Sequence, residues 1–119
     1  MMDSTSTKTN LTTEEKERIL SRFSLSDIIQ FCTQENIIEL SVFGSVLRDD
    51  FREDSDLDFL FLLSPKRKIS LFDLVHMEKK LSELVNRPVD LISKKGIEQS
   101  RNYIRRRNIL ESARVIYVA

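Results

Sequence analysis

The most apolar run of this 119-residue chain is DLDFLFLL, Asp56 to Leu63, and it begins with two carboxylates. The run is far shorter than the roughly 20 apolar residues of a membrane span, and it ends at Ser64 and Pro65. A short run of Phe and Leu between turn-forming residues predicts a strand in the centre of a sheet. The chain is therefore expected to fold around a β-sheet.

Helical and strand patterns alternate on either side of this run. Residues 1–10 are polar and unpatterned and are predicted to be a disordered tail, and residues 11–119 are predicted to form a single domain. A helix is predicted from Thr13 to Arg22, and Ser24 with Asp27 is a capping signal for a second helix, or a kinked continuation of the first, that runs to Glu35. A strand from Ile37 to Phe43, a short helix from Ser45 and the strand from Asp56 follow. The remaining predicted elements are a helix capped by Ser70 and Asp73 that stops before Pro88, a strand from Pro88 to Ser93, a helix from Ile97 to Leu110, and a strand or edge addition in ARVIYVA. This order predicts an α/β fold with a small mixed β-sheet flanked by helices.

Charge and cysteine content exclude several classes of protein. The chain has 19 Lys and Arg against 19 Asp and Glu, so no global field draws it onto nucleic acid. One Cys and one His cannot form an internal disulfide or a zinc cage. With neither a membrane span nor a secretory signal visible, the protein is expected to be soluble and cytoplasmic, and direct binding of nucleic acid is not expected.

Three carboxylates are the strongest candidates for chemistry. Asp56 and Asp58 stand two residues apart, which in a strand directs both to one face with α-carbons about 6.6 Å apart. Asp90 lies in the next predicted strand, and the strand register decides whether it completes the cluster. Carboxylates this close repel each other unless a cation neutralises them, and hard oxygen donors suit Mg²⁺. An Asp at the start of a strand is also common as a plain turn residue, and that reading stays open from these residues alone.

Glycine is nearly absent, since only Gly44 and Gly96 are present. A Gly-rich phosphate loop therefore cannot be built. Gly44 and Ser45 end the first predicted strand, where backbone N–H groups and a hydroxyl at a helix start can still hold phosphate.

The segment FGSVLRDDFREDSDLDFLF resembles the pattern of the DNA polymerase β-like nucleotidyltransferase superfamily, in which Gly-Ser is followed about ten residues later by Asp-x-Asp. The form found here resembles that of the minimal nucleotidyltransferase (MNT) antitoxin family, in which a later strand gives a third carboxylate, as RPVDLIS does with Asp90. The ending ILESARVIY is similar to the closing element of many MNT proteins. The resemblance covers most of Ile37 to Tyr117 and implies the polymerase β-like fold.

The resemblance also implies the roles of individual residues. Asp56, Asp58 and Asp90 would be catalytic and would bind metal, with two Mg²⁺ ions expected. Gly44 and Ser45 would bind the phosphates of the substrate ATP, and Arg48 would add a positive charge to that site.

A protein acceptor is implied in the same way. MNT proteins commonly act as antitoxins that attach AMP to a tyrosine of a HEPN-type ribonuclease toxin, in a type VII-like toxin–antitoxin pair, so a hetero-oligomer with such a toxin is expected. The absence of a further substrate domain from this short sequence favours an acceptor with its own recognition surface. Two alternatives stay open: a non-catalytic antitoxin that acts by binding, and a nucleotidyltransferase acting on RNA or a small molecule.

Other conspicuous side chains have plainer interpretations. The basic loop Lys66 to Lys68 and the run Arg105 to Arg107 are predicted to be solvated faces or parts of a partner interface, and the Arg run alternatively meets nucleotide phosphates. Tyr103 and Tyr117 are predicted to be packing residues, and Cys32 a small core residue.

Overall fold

The computed structural model describes residues 24–47 and 55–119, and the predicted tail at 1–10, the predicted helix from Thr13 to Arg22 and Arg48 lie outside them. The described elements are helix α1 (Leu25–Glu35), strand β1 (Ile37–Phe43), a 3₁₀ helix (Gly44–Leu47), strand β2 (Leu57–Leu63), helix α2 (Leu71–Val85), strand β3 (Val89–Ser93), helices α3 (Lys94–Glu98) and α4 (Tyr103–Ser112), and strand β4 (Arg114–Val118). No helix in this described part of the chain has the length and apolarity of a membrane span.

The four strands form one mixed sheet in the order β3-β2-β1-β4. Strand β1 pairs antiparallel with both β2 and β4, and β2 pairs parallel with β3. Helix α2 makes the crossover that a parallel pair requires. The predicted α/β fold, the central position of the most apolar run and the C-terminal edge strand are all confirmed.

The N-terminal caps predicted at Ser24 and Ser70 are present. The Ser24 hydroxyl accepts a hydrogen bond from the Asp27 N–H at 3.4 Å. Ser70 and Asp73 form a reciprocal capping box, with bonds of 3.2 and 2.9 Å, at the start of α2. At its other end α2 closes on Asn86 in the left-handed conformation, two residues before Pro88, as the sequence predicted.

Apolar side chains fill both faces of the sheet. The larger cluster packs α1 and α2 against one face, and it contains the predicted core residue Cys32. The smaller cluster packs α3 and α4 against the other face through Phe43, Leu60, Ile97 and Ile109. Strand β2 supplies residues to both clusters, which explains why its sequence is apolar without alternation.

Two predictions are wrong in the C-terminal third. The single helix from Ile97 to Leu110 is instead two helices, because Asn102 caps a new helix by accepting a hydrogen bond from the Arg105 N–H at 3.1 Å. Tyr103 is not a packing residue, since its position in the first turn of α4 leaves it 57% exposed. Tyr117 does pack, on the larger core cluster.

Candidate active site

The sheet register places Asp58 and Asp90 side by side. In the parallel pair β2 and β3 the two residues are direct partners, so their α-carbons are about 4.8 Å apart. Both stand near the beginning of their strands, and Asp56 immediately precedes β2. The register that the sequence left open thus brings the third carboxylate next to the Asp56–Asp58 pair.

Side-chain alternation assigns these carboxylates to one face of the sheet. Asp58 shares a face with Leu60, and Asp90 shares it with Ile92. Further along that face Leu60 and Ile92 are packed in the cluster formed with α3 and α4. At the start of the strands, next to this apolar cluster, Asp58 is half-buried, whereas Asp56 and Asp90 are exposed. The carboxylates therefore lie at an accessible end of the face.

Gly44 lies directly against one of them. Its neighbour Phe43 is the antiparallel partner of Asp58, and Gly44 has a φ of +79°, which favours glycine. A β-carbon at Gly44 would overlap Oδ2 of Asp58 and lie 3.3 Å from its Cγ. The 3₁₀ helix that follows, which includes Ser45, is anchored by the fully buried Val46. The predicted phosphate-binding turn and the carboxylates are thus adjacent.

Hydrogen bonds fix the two acidic segments to each other. Nη1 of Arg87 donates to the backbone carbonyl of Ser55 at 3.2 Å, and the Leu57 N–H donates to the Pro88 carbonyl at 3.0 Å. These two bonds flank Asp56 and tie it to the loop that leads to Asp90. The pattern of the sequence did not indicate Arg87; its place directly before the strand with Asp90, in RPVDLIS, is the only local signal it offers.

A second contact holds the outer edge of β3. The Leu91 N–H, next to Asp90 in the chain, donates to Oε2 of Glu78 on α2 at 3.0 Å. Because β3 is an edge strand of the sheet formed by the described residues, none of their strands pairs with this N–H on that side. A carboxylate acceptor makes a comparatively strong bond with it. The sequence pattern did not indicate Glu78 either, because its contact with β3 forms only when α2 packs beside that strand.

The donor set fits a magnesium ion. Within the described residues no group of three or more His, Cys, Asp or Glu side chains is already arranged to hold a metal. Two neighbouring carboxylates are nevertheless enough, because Mg²⁺ is usually held by one or two carboxylates while substrate phosphates and water complete its octahedron. Asp58 and Asp90 provide such a pair, and Asp56 stands beside them.

Comparison with known proteins decides the family. The model of the nucleotidyltransferase domain family matches residues 25–116, which contain every described element of this site. The chain belongs to the nucleotidyltransferase domain family.

Curated relatives of this nucleotidyltransferase domain carry the name putative protein adenylyltransferase. MJ1217 of Methanocaldococcus jannaschii is 40% identical over 58 residues, which are 49% of this chain and 57% of the relative. MJ0435 of the same organism is 31% identical over 70 residues, 59% of this chain and 73% of the relative. The match thus spans little more than half the length of the first relative.

Solved structures confirm the fold of the nucleotidyltransferase domain. A structure described as a putative minimal nucleotidyltransferase is 30% identical, with a TM-score of 0.60 over 82% of this chain and 91% of that chain. A crystal structure of a toxin–antitoxin with AMP-PNP gives a TM-score of 0.63 at 14% identity, covering 82% of this chain and 75% of that one. A tri-AMPylated Shewanella oneidensis HEPN toxin in complex with MNT antitoxin gives 0.57 at 12% identity, covering 88% and 73%. The resemblance to minimal nucleotidyltransferases is confirmed.

Two arginines of the run Arg105 to Arg107 make contacts with nearby residues of the chain. Nε of Arg107 donates to both carboxylate oxygens of Glu111, at 3.3 and 3.2 Å. The Arg106 guanidinium lies 5.7 Å from the centre of the Tyr103 ring and donates from Nη1 to the Ser100 carbonyl at 3.1 Å. These contacts give two of the three Arg side chains a local structural role.

Proposed function

We propose that this nucleotidyltransferase domain transfers AMP from ATP to a hydroxyl group of a partner protein, with Mg²⁺ as its cofactor. The observation that carries the proposal is the convergence of three features at one end of the sheet: the Asp58–Asp90 register pair, Asp56 directly before it, and Gly44 against Asp58. A metal-bound triphosphate needs acidic ligands beside a turn with little side-chain bulk, and this arrangement meets both needs.

Each residue has a defined task in the proposal. Asp56, Asp58 and Asp90 would hold Mg²⁺, which when bound neutralises negative charge on the phosphate oxygens. Gly44 and Ser45 would receive the phosphates at the start of the 3₁₀ helix, and Arg48 would supply a further positive charge. In the reaction the acceptor oxygen forms a bond to the α-phosphorus, the bond from that phosphorus to pyrophosphate breaks, and the hydroxyl proton passes to solvent.

The acceptor we propose is a tyrosine of a HEPN-type toxin, which would make this protein the antitoxin of a type VII-like pair. Support comes from the fold shared with the MNT antitoxin bound to a tri-AMPylated HEPN toxin and with the toxin–antitoxin crystallised with AMP-PNP. The curated relatives named as protein adenylyltransferases also favour a protein acceptor.

The test is a labelling experiment with ATP carrying the label on either the α- or the γ-phosphate. The purified protein and MgCl₂ are incubated with a purified HEPN-domain protein and with total RNA, and label is followed on protein and on RNA. We expect transfer from α-labelled ATP only, onto protease-sensitive material and at a tyrosine, and no transfer in the presence of EDTA.

The matched variants are Asp56→Asn with Asp58→Asn, against Glu83→Gln on the exposed face of α2. The double variant should fold and lose transfer, while Glu83→Gln should retain it. Transfer by the double variant would refute the assignment of the site. A double variant that still neutralises the toxin would indicate a binding antitoxin, and label that is sensitive to ribonuclease would indicate an RNA acceptor.

A further inference from the structure

A polar cavity lies at the end of the sheet opposite the carboxylates. We call it the basic pocket; it has a volume of about 360 Å³ and is lined by Asn36, Ser64, Lys66, Arg67 and Lys68. Ser64 lies six positions after Asp58 along the extended chain, a distance of about 20 Å. The basic pocket is therefore separate from the candidate active site and opposite to it in charge.

Backbone hydrogen bonds give the basic pocket a defined shape. The Ser64 N–H donates to the carbonyl of Asn36, the residue that ends α1, at 2.9 Å. The Arg67 N–H then donates to the Ser64 carbonyl, also at 2.9 Å. These bonds join the loop that carries the three cationic side chains to the C-terminal end of α1.

The polar groups of the basic pocket are mostly hydrogen-bond donors. Nη2 of Arg67 is paired with Oε1 of Glu35 at 3.2 Å, and Lys80 lies 3.4 Å from the other oxygen of Glu35. Nε of Arg67 is different, because it is buried and has no hydrogen-bond partner among the described residues. Arg67 thus brings a positive charge to the basic pocket and also holds one buried donor without an acceptor, which is unfavourable.

Charge determines which acceptor fits. Lys66 and Lys68 are exposed, and no acidic side chain is among the described residues that line the pocket. The residues that line the pocket carry one guanidinium, two ammonium groups, a hydroxyl and an amide. A phosphate group, with its several oxygens around one centre, can accept from more of these donors than the two oxygens of a carboxylate can. The volume also leaves room for the group to which the phosphate is attached.

We propose that the basic pocket is a binding site for a phosphate group, supplied either by a free phosphate compound or by the backbone of RNA. The site is independent of nucleotidyl transfer, because it shares no residue with the carboxylate end of the sheet. Neutral overall charge does not oppose it, since only the local charge of this loop is involved.

The test is an NMR titration of the full-length, ¹⁵N-labelled protein at low salt. One series uses inorganic phosphate and another uses a short single-stranded RNA, and the backbone amides of Ser64 and of residues 66–68 are the readout. We expect saturable shifts at these amides. Equal response to phosphate and RNA, or response to phosphate alone, would identify a free phosphate compound as the ligand, whereas much tighter binding of RNA would identify the nucleic-acid backbone.

Two variants and one control separate a built site from diffuse charge. Lys66→Gln with Lys68→Gln removes two cations, and Arg67→Lys keeps the charge while removing the buried Nε–H. Each should weaken binding about tenfold or more. The control, Lys79→Gln with Lys95→Gln, removes two exposed cations elsewhere and should bind as the wild type does. Absence of saturable shifts in the wild type, or equal weakening in the control, would overturn the proposal.

Discussion

Gly44 and Asp58 are so close that a methyl group on Gly44 would overlap Oδ2 of the carboxylate and lie 3.3 Å from its Cγ. Gly44 also has a φ of +79°, which L side chains rarely adopt. Two independent constraints, one on the backbone and one on the contact, therefore require glycine at the same position.

Gly44→Ala should consequently lose activity more than stability. The strained φ is expected to cost about 1–2 kcal/mol of unfolding free energy, and displacement of Asp58 is expected to lower AMP transfer about a hundredfold. Urea unfolding and the α-labelled ATP assay measure the two effects. Gly96→Ala is the control, because a β-carbon there would meet only ordinary contacts with Ser93. If both variants kept full activity, the close approach of Gly44 to Asp58 would have no functional role.

Arg87 should act on metal binding through the backbone it holds. Loss of its bond to the Ser55 carbonyl frees one side of the segment that carries Asp56, so Arg87→Ala is expected to raise the Mg²⁺ concentration for half-maximal transfer about tenfold. Arg87→Lys keeps one donor and should lie between the variant and the wild type. A Mg²⁺ titration of activity at saturating ATP is the measurement. A lower melting temperature with an unchanged Mg²⁺ dependence would show that Arg87 is structural only.

Most helices and strands of this fold could be predicted because short sequence patterns determine where each one begins and ends. The caps at Ser24 and Ser70 and the run that became β2 are readable within a few residues, and each is present in the structure. The gap between α3 and α4 was missed because Asn102 competes locally as a helix cap, and a periodic apolar pattern does not register that competition.

The candidate site could be predicted only in part, for a related reason. Asp56 and Asp58 are neighbours in the chain, so their spacing was visible. The pairing of Asp58 with Asp90 depends on the register that the α2 crossover gives to β3, which no short segment encodes. Arg87 and Glu78 act through hydrogen bonds to backbone atoms of distant segments, so they become recognisable only in the folded chain.

Two phenylalanines should differ sharply in their contribution to stability. Phe59 on β2 is fully buried, and Phe59→Ala should lower the free energy of unfolding by about 3–5 kcal/mol because it leaves a cavity in the core. Phe72 at the start of α2 is 87% exposed, so Phe72→Ala should change it by less than about 0.5 kcal/mol. Urea denaturation of both variants gives the comparison. A large loss at Phe72 would mean that its side chain is covered in solution.

The buried thiol of Cys32 should react slowly with an alkylating reagent in the folded protein. Burial raises its pKa from 9.0 to about 12, because the interior disfavours the thiolate. Iodoacetamide at pH 8 should therefore modify the native protein far more slowly than the urea-unfolded protein, and mass spectrometry gives both rates.

The same pKa shift determines how the free energy of unfolding depends on pH. Above pH 9 the unfolded chain releases the Cys32 proton while the folded chain keeps it. The contribution of the thiol to the free energy of unfolding is therefore fully present below pH 9 and is lost as the pH rises towards 12. The expected loss is about 1 kcal/mol per pH unit. Cys32→Ala should remove this dependence on pH and leave the dependence that comes from other titrating groups. The difference between the two pH profiles is then the contribution of the thiol. Parallel pH profiles for wild type and Cys32→Ala, or rapid alkylation of the native protein, would contradict the burial of this side chain.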